Sequence, residues 1–190
     1  MEAAKVILLN GAGSAGKTSL ARALQNASRE PFLHVRMDAF LDMLPARYLN
    51  DPDGFTFASS VEDGRRVVSI RSGPIAQRTM RGMRSAVVAM AATGNPLIVD
   101  DVLLGDEKQE YARLLAPFQP LVVGVYCPLD VLEERERQRG DRPIGLARWQ
   151  YDKVHAGMTY DVTVDTGEAS PEACARQVMH ALAQRILSSN

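Results

Sequence analysis

Short unbroken apolar runs alternate along this chain with longer stretches in which apolar residues recur every three or four positions. Val6 to Asn10 is the first run, and it stops at a glycine-rich turn, which predicts a strand buried on both faces. Lys17 to Ala27 follows with Leu20 and Leu24 four apart, the spacing of a helix. Phe32 to Met37 reads as a second strand, and Asp38 to Leu44 as a short helix halted before Pro45. Residues 75–93 carry a long helical pattern that ends at Gly94. Pro96 to Val102 and Leu121 to Tyr126 are further buried strands, each followed by a helix, Glu107 to Leu115 and Leu129 to Arg139. Gly140 to Gly145 breaks the pattern, residues 147–156 resume it, and Val162 to Val164 is a short last strand. Ser170-Pro171-Glu172 opens a final helix whose core face is Val178, Leu182 and Ile186.

Strands therefore alternate with helices. That order predicts an α/β fold, a parallel sheet covered on both faces, with ligands at the carboxyl ends of its strands. Residues 46–74 interrupt the rhythm. They hold turn signals at 51–54 and 62–64, and Phe55-Thr56-Phe57 and Val67 to Ile70 flank the second, so a hairpin-like insert is expected there.

Composition narrows the classes. The chain has 190 residues, enough for one domain with a substantial core, and a formal net charge of −1. Such a balance exerts no general pull on nucleic acid or an anionic membrane, so any anion site must be local. Cys127 and Cys174 fit no metal spacing and read as inert thiols. With no apolar run of membrane-spanning length and no leader pattern, the expected compartment is the cytoplasm. A homo-oligomer stays open.

Chemistry enters at Gly11-Ala12-Gly13-Ser14-Ala15-Gly16-Lys17-Thr18, which fits G-x-x-x-x-G-K-[ST] at every specified position. Glycines let the backbone curl so that several N–H groups face phosphate oxygens, and the next helix adds its positive end. Lys17 would reach the β- and γ-phosphates, and the Thr18 hydroxyl would coordinate Mg²⁺. The site for ATP is expected to run from Gly11 through Ser19. At typical glycine usage a random chain of this length matches on the order of 1% of the time, and here the match also lies between a strand and a helix.

Acids and arginines complete the set. Leu97 to Asp101 has the form of a strand ending in a metal-binding acid. Asp100 and Asp101 point to opposite faces, so one of the two serves the metal, and the alternation alone does not say which. Asp38 follows the second strand, where it could cap a helix or orient an acceptor hydroxyl. Asp42, one helical turn on, is either a substrate contact or a solvated residue. Residues 133–142 hold four arginines. Arg137 has Glu133 in ion-pair spacing, whereas Arg135 and Arg139 share another face and Arg142 lies past the Gly140 break. Forked guanidinium groups suit a lid that closes over phosphates, so 135–146 is expected to be one.

With these segments in place, the chain resembles the chloramphenicol phosphotransferase family of P-loop kinases. The resemblance rests on Ile7 to Lys17, Asp38 to Asp42, Ile98 to Val102 with Gly105, Arg135-Glu136 with Arg139 to Arg142, Val154 to Gly157, Tyr160 to Val162, and Val164-Asp165-Thr166. It implies a three-layer, nucleoside-monophosphate-kinase-like fold with five parallel strands in the order 2-3-1-4-5, and ATP and Mg²⁺ as cofactors. It also implies that Asp38 is the base, that Arg135 and Arg139 are lid arginines, and that Thr166 lies near the adenine. Residues 46–74 depart from the family pattern and should line the acceptor pocket. Chloramphenicol, another antibiotic or a different small alcohol all stay open as acceptor.

Two rivals remain. The first is a kinase for nucleotides, nucleosides or a polynucleotide end: a nucleotide acceptor would need a second phosphate clamp, which Arg78, Arg81 and Arg84 on the 75–93 helix could supply, and Arg78 is the first candidate for substrate contact. Alternatively, the chain binds nucleotide as a regulatory switch without transfer. His155 reads as a helix-end packing residue and His180 as a surface one. Met80 and Met83 read as core.

Overall fold

The computed structural model describes residues 5–140 and 143–188. Five parallel strands form the central sheet: β1 (Val6–Asn10), β2 (Leu33–Arg36), β5 (Leu97–Asp101), β6 (Leu121–Tyr126) and β7 (Val162–Asp165). Their spatial order is β2-β5-β1-β6-β7. Counted among themselves, these strands run 2-3-1-4-5, as expected. The remaining two, β3 (Phe55–Glu62) and β4 (Arg65–Ser72), pair antiparallel in a separate hairpin, which is the insert between the second and third sheet strands.

Alternation along β1 builds the layers. Ile7 and Leu9 face one core with Leu20 and Leu24 of α1 (Lys17–Ala27) and Val178 and Leu182 of α7 (Pro171–Ser188). Leu132 of α5 (Leu129–Arg139) and Val154 of α6 (Leu146–His155) extend that layer. Val6 and Leu8 face the other core, with Met83 and Val87 of α3 (Pro74–Ala92) and Tyr111 and Leu115 of α4 (Glu107–Leu115). Burial of each such side chain contributes about 1.5–3 kcal/mol, so period-2 alternation fixes the register of the whole sheet.

The first strand leaves the sheet at Gly11, where a Cβ would stand 2.5 Å from the Val125 carbonyl oxygen of β6. Only glycine lets the chain turn there.

Several boundaries move by a residue or two. The second strand stops at Arg36, and the short helix α2 spans Met37–Leu41. Asp38 therefore sits inside the first helical turn and is not its cap. Glu133 does not pair with Arg137. Arg137 bonds Glu134 instead, and Glu133 bridges Arg148 at 2.5 Å and Arg65 at 3.6 Å, which ties α5 to α6 and to the hairpin. The Val68 N–H donates to the Gly145 carbonyl at 3.0 Å, a second tie between hairpin and α6. Both cysteines are buried thiols. Among the described residues no helix is long and apolar enough to cross a membrane.

Candidate active site

The carboxyl ends of β1, β2 and β5 open into a cleft of about 440 Å³. Residues 13–19 line it together with Arg36, Asp38, Asp100, Arg135, Arg139 and Thr166. Five chain segments thus deliver side chains to one place, because every contributing loop follows a strand of the same parallel sheet.

The loop itself is set by two left-handed residues, Ser14 at φ 64° and Gly16 at φ 82°. A serine held there is uncommon and marks a backbone shaped for a task. Its Oγ is buried with no hydrogen-bond partner among the described residues, an open polar valence inside an anion-sized cradle. Lys17 Nζ donates to the carbonyls of Gly11 and Ala12 at 2.9 and 3.0 Å. The ammonium group is thereby kept over the loop, 3.9 Å from Asp100 Oδ1.

Asp100 is the acid on the cleft side. It accepts the Thr18 hydroxyl proton at 2.8 Å and faces His34 Nε2 at 3.4 Å. Burial pushes its pKa up. The neighbouring His34 ring, the charge of Lys17 and the Thr18 hydroxyl together outweigh that and hold it below the usual carboxylate range. Asp101 is turned to the opposite face, where it accepts from Tyr111 Oη at 2.9 Å and from the Val102 N–H at 2.7 Å. Burial lifts its pKa to about 6. Of the two acids that strand alternation left open, Asp100 lines the cleft and Asp101 lies outside it.

A neighbouring hydroxyl and ionised carboxylate are the hard oxygen donors Mg²⁺ takes. A cation with so few protein ligands is completed by phosphate oxygens and water. The described residues hold no cluster of three or more His, Cys, Asp or Glu that would suit an all-protein metal cage.

Arg135 is braced from below. Its guanidinium donates to the Thr166 carbonyl at 2.8 Å, to Thr166 Oγ1 at 3.1 Å and to Cys127 Sγ at 3.3 Å. The Thr166 hydroxyl in turn donates to the Ala15 carbonyl at 2.7 Å. Helix α5, the loop after β7 and the glycine loop are thus linked through one hydroxyl. Arg139 is exposed at the cleft edge. Arg142 lies outside the described residues. Asp42 and Arg78 are exposed and do not line the cleft. Arg84 is buried against Glu110 at 2.7 Å and over Tyr111, so it is no free phosphate clamp.

Other participants gave no motif. Gln150 of α6 accepts the Gly13 N–H at 2.7 Å, and no local pattern marks a helical glutamine for that work. Glu136, only 2% exposed, accepts the N–H groups of Gly145 and Ala147 at 2.7 and 2.8 Å and so clamps the start of α6. Asn10 was legible as the one polar residue ending an apolar strand. Its amide bonds Tyr160 Oη, the Val154 carbonyl and the Leu103 N–H. Tyr160 contacts His155 Nδ1 at 2.7 Å, and His155 stacks on Tyr126 at 3.9 Å.

A parallel sheet in this order, with a glycine loop and lysine after its first strand, is the framework of the P-loop kinases. The sequence profile of the chloramphenicol phosphotransferase-like protein family matches residues 4–183, and the chain belongs to that family. "Putative O-phosphotransferase Rv2636" of Mycobacterium tuberculosis H37Rv is 34% identical over 184 residues, 94% of this chain and 82% of that protein. Among solved structures, a sugar kinase from Janibacter sp. HTCC2649 superposes with a TM-score of 0.66 at 18% identity, covering 95% of both chains. The APS kinase CysC of M. tuberculosis does so at 0.65 and 15% identity, covering 95% of this chain and 98% of its own. At these identities the structures speak for the fold alone.

Proposed function

We propose that this protein transfers the γ-phosphoryl group of ATP to a hydroxyl of a small molecule. The observation that carries the reading is the gathering of Lys17, Asp38, Asp100 and Arg135 around one cleft. In this reading residues 11–19 hold the triphosphate, with the N–H groups at the start of α1 offered to its oxygens. Thr18 and Asp100 would hold Mg²⁺, which would supply charge neutralisation on the phosphate oxygens. Asp38 orients the acceptor hydroxyl and takes its proton. The acceptor oxygen bonds to the γ-phosphorus as the bond from phosphorus to the β–γ bridging oxygen breaks, and the electron pair leaves with ADP. Arg135 and Arg139 offset charge on the transferring group, and Thr166 lies beside the adenine.

Residues 46–74 form the acceptor side, and 135–146 are the lid. The Glu136 clamp and the Val68–Gly145 bond support a short lid, because they tie the start of α6 to α5 and to the hairpin. An antibiotic such as chloramphenicol is the first acceptor to try, from the family resemblance.

The test is an ADP-release screen across amphenicols, other hydroxylated antibiotics, sugars and nucleosides, with the product examined for a new O-phosphate by mass spectrometry. One acceptor giving stoichiometric ADP and phosphorylated product supports the proposal. ATP-competent protein that no acceptor stimulates would count against it.

A further inference from the structure

The cleft holds one charged side chain that the mechanism above does not use. Arg36 ends β2, is half-buried, and lines the same cavity as Lys17, Asp38, Asp100 and Arg135. Its side chain makes no hydrogen bond, ion pair or ring contact with the described residues. The other cations there are engaged, Lys17 with the loop carbonyls and Arg135 with Thr166. A partly desolvated guanidinium without a protein anion is stabilised when a ligand brings one.

Register says which part of the ligand. Arg36 is paired with Asp100 across the β2–β5 ladder. Paired residues of a parallel ladder project to the same face, with neighbouring strands about 4.8 Å apart. Asp100 holds Thr18 and lies beside Lys17, so the face that Arg36 shares is the one bordering the end of the triphosphate cradle. Asp38 follows two residues later and lines the cleft as well. Arg36 thus stands between the metal-side acid and the acceptor-side acid, across the cleft from α5.

Charge supplies the remaining argument. Four cations, Lys17, Arg36, Arg135 and Arg139, face two carboxylates, Asp38 and Asp100, on the cleft walls. A magnesium-bound triphosphate is anionic and matches that excess. The extra arginine therefore requires no charged acceptor, and its partner is the nucleotide.

We infer that Arg36 contacts the terminal phosphate of bound ATP from the β2 side and acts as a further catalytic cation during transfer. In a loose phosphoryl-transfer transition state the charge is spread over three equatorial oxygens, and a cation on the side facing α5 reaches an oxygen that Arg135 and Arg139 do not. The inference rests on the transferase reading only in requiring that the cleft bind ATP.

The experiment compares binding of Mg·ADP with that of the magnesium complex of the non-hydrolysable β,γ-imido analogue of ATP, by calorimetry, for wild type, Arg36→Gln and Arg36→Lys. Thermal melts confirm folding. Arg36→Gln should weaken the imido analogue by about tenfold or more and ADP by less than about twofold, since ADP lacks the phosphate in question. Arg36→Lys should fall between. A ratio of the two affinities that Arg36→Gln leaves unchanged overturns the assignment while the function above stands. If Arg36→Gln does not fold, Arg36→Lys decides by the same ratio. Wild-type protein that binds neither nucleotide overturns both.

Discussion

Gly145 faces the backbone of Arg66 so closely that a Cβ on it would stand 2.6 Å from the Arg66 carbonyl oxygen. This contact joins the start of α6 to the β3–β4 hairpin, the element that breaks the strand–helix rhythm. Gly145 also has φ 101°, which L side chains rarely adopt. Gly145→Ala should destabilise the fold by roughly 1–3 kcal/mol through strain and collision together. Thermal unfolding should fall by several degrees, and an unchanged midpoint would show that the hairpin yields freely.

The two adjacent acids separate cleanly by environment. Asp100→Asn should weaken nucleotide binding in the presence of Mg²⁺ by about 10- to 100-fold, with a smaller loss in EDTA, because it removes the charge that Thr18 and Lys17 surround. Asp101→Asn should leave nucleotide affinity near wild type, since that carboxyl bonds Tyr111 behind the strand. Titrations with and without Mg²⁺ check both, and equal effects would contradict the assignment.

Thr166→Val preserves shape and deletes the hydroxyl that bonds Ala15 and receives Arg135. The buried Ala15 carbonyl would lose its partner, at a cost of about 1–3 kcal/mol. Looser seating of Arg135 should also weaken ATP binding several-fold. Unfolding and binding measured on the same variant would show whether the two losses travel together.

His155 sets a pH dependence. Burial, with the charges of Lys17 and Lys108, lowers its pKa to about 4. The folded value lies below the unfolded one of about 6.5, so the neutral ring is favoured in the native state. Its stabilising contribution is complete above about pH 6.5 and is lost as pH falls toward 4. His155→Asn keeps an acceptor for the Tyr160 hydroxyl and removes the titration. Urea midpoints between pH 7 and 4 should therefore fall less steeply in the variant, whatever its stability at neutral pH. Parallel curves would refute the linkage.

Asp38→Asn tests the proposed role of this acid. Acceptor-dependent turnover should drop by about 10²- to 10⁴-fold while ATP affinity changes little. Turnover near wild type would remove Asp38 from the proton path.

Much was legible because it depends on neighbours in the chain. Apolar runs of five or six residues, such as Val6 to Asn10 and Leu121 to Tyr126, can only be buried strands when a helix follows each. The glycine loop is equally local, since its spacing is dictated by one turn of backbone around an anion. These features carried the strand order by way of the family resemblance, and the three-layer architecture by way of alternation.

What sequence spacing left undetermined depends on which groups meet across the sheet. Asp100 and Asp101 are chemically identical neighbours, and only the packing of Tyr111 behind β5 and of His34 and Thr18 in front assigns them opposite environments. Gln150, Glu136 and Thr166 bond partners 137, 9 and 151 residues away, and the hydrogen bonds exist only once α5, α6 and the last loop have docked. Arg36 shows the same division. As a residue it ends a strand unremarkably, and its place beside Asp100 follows from a ladder that forms when two distant strands pair. Local order is written in periodicity because a strand or helix needs only its own side chains to select a face. Long-range polar contacts have no period, so they become visible in the folded chain alone.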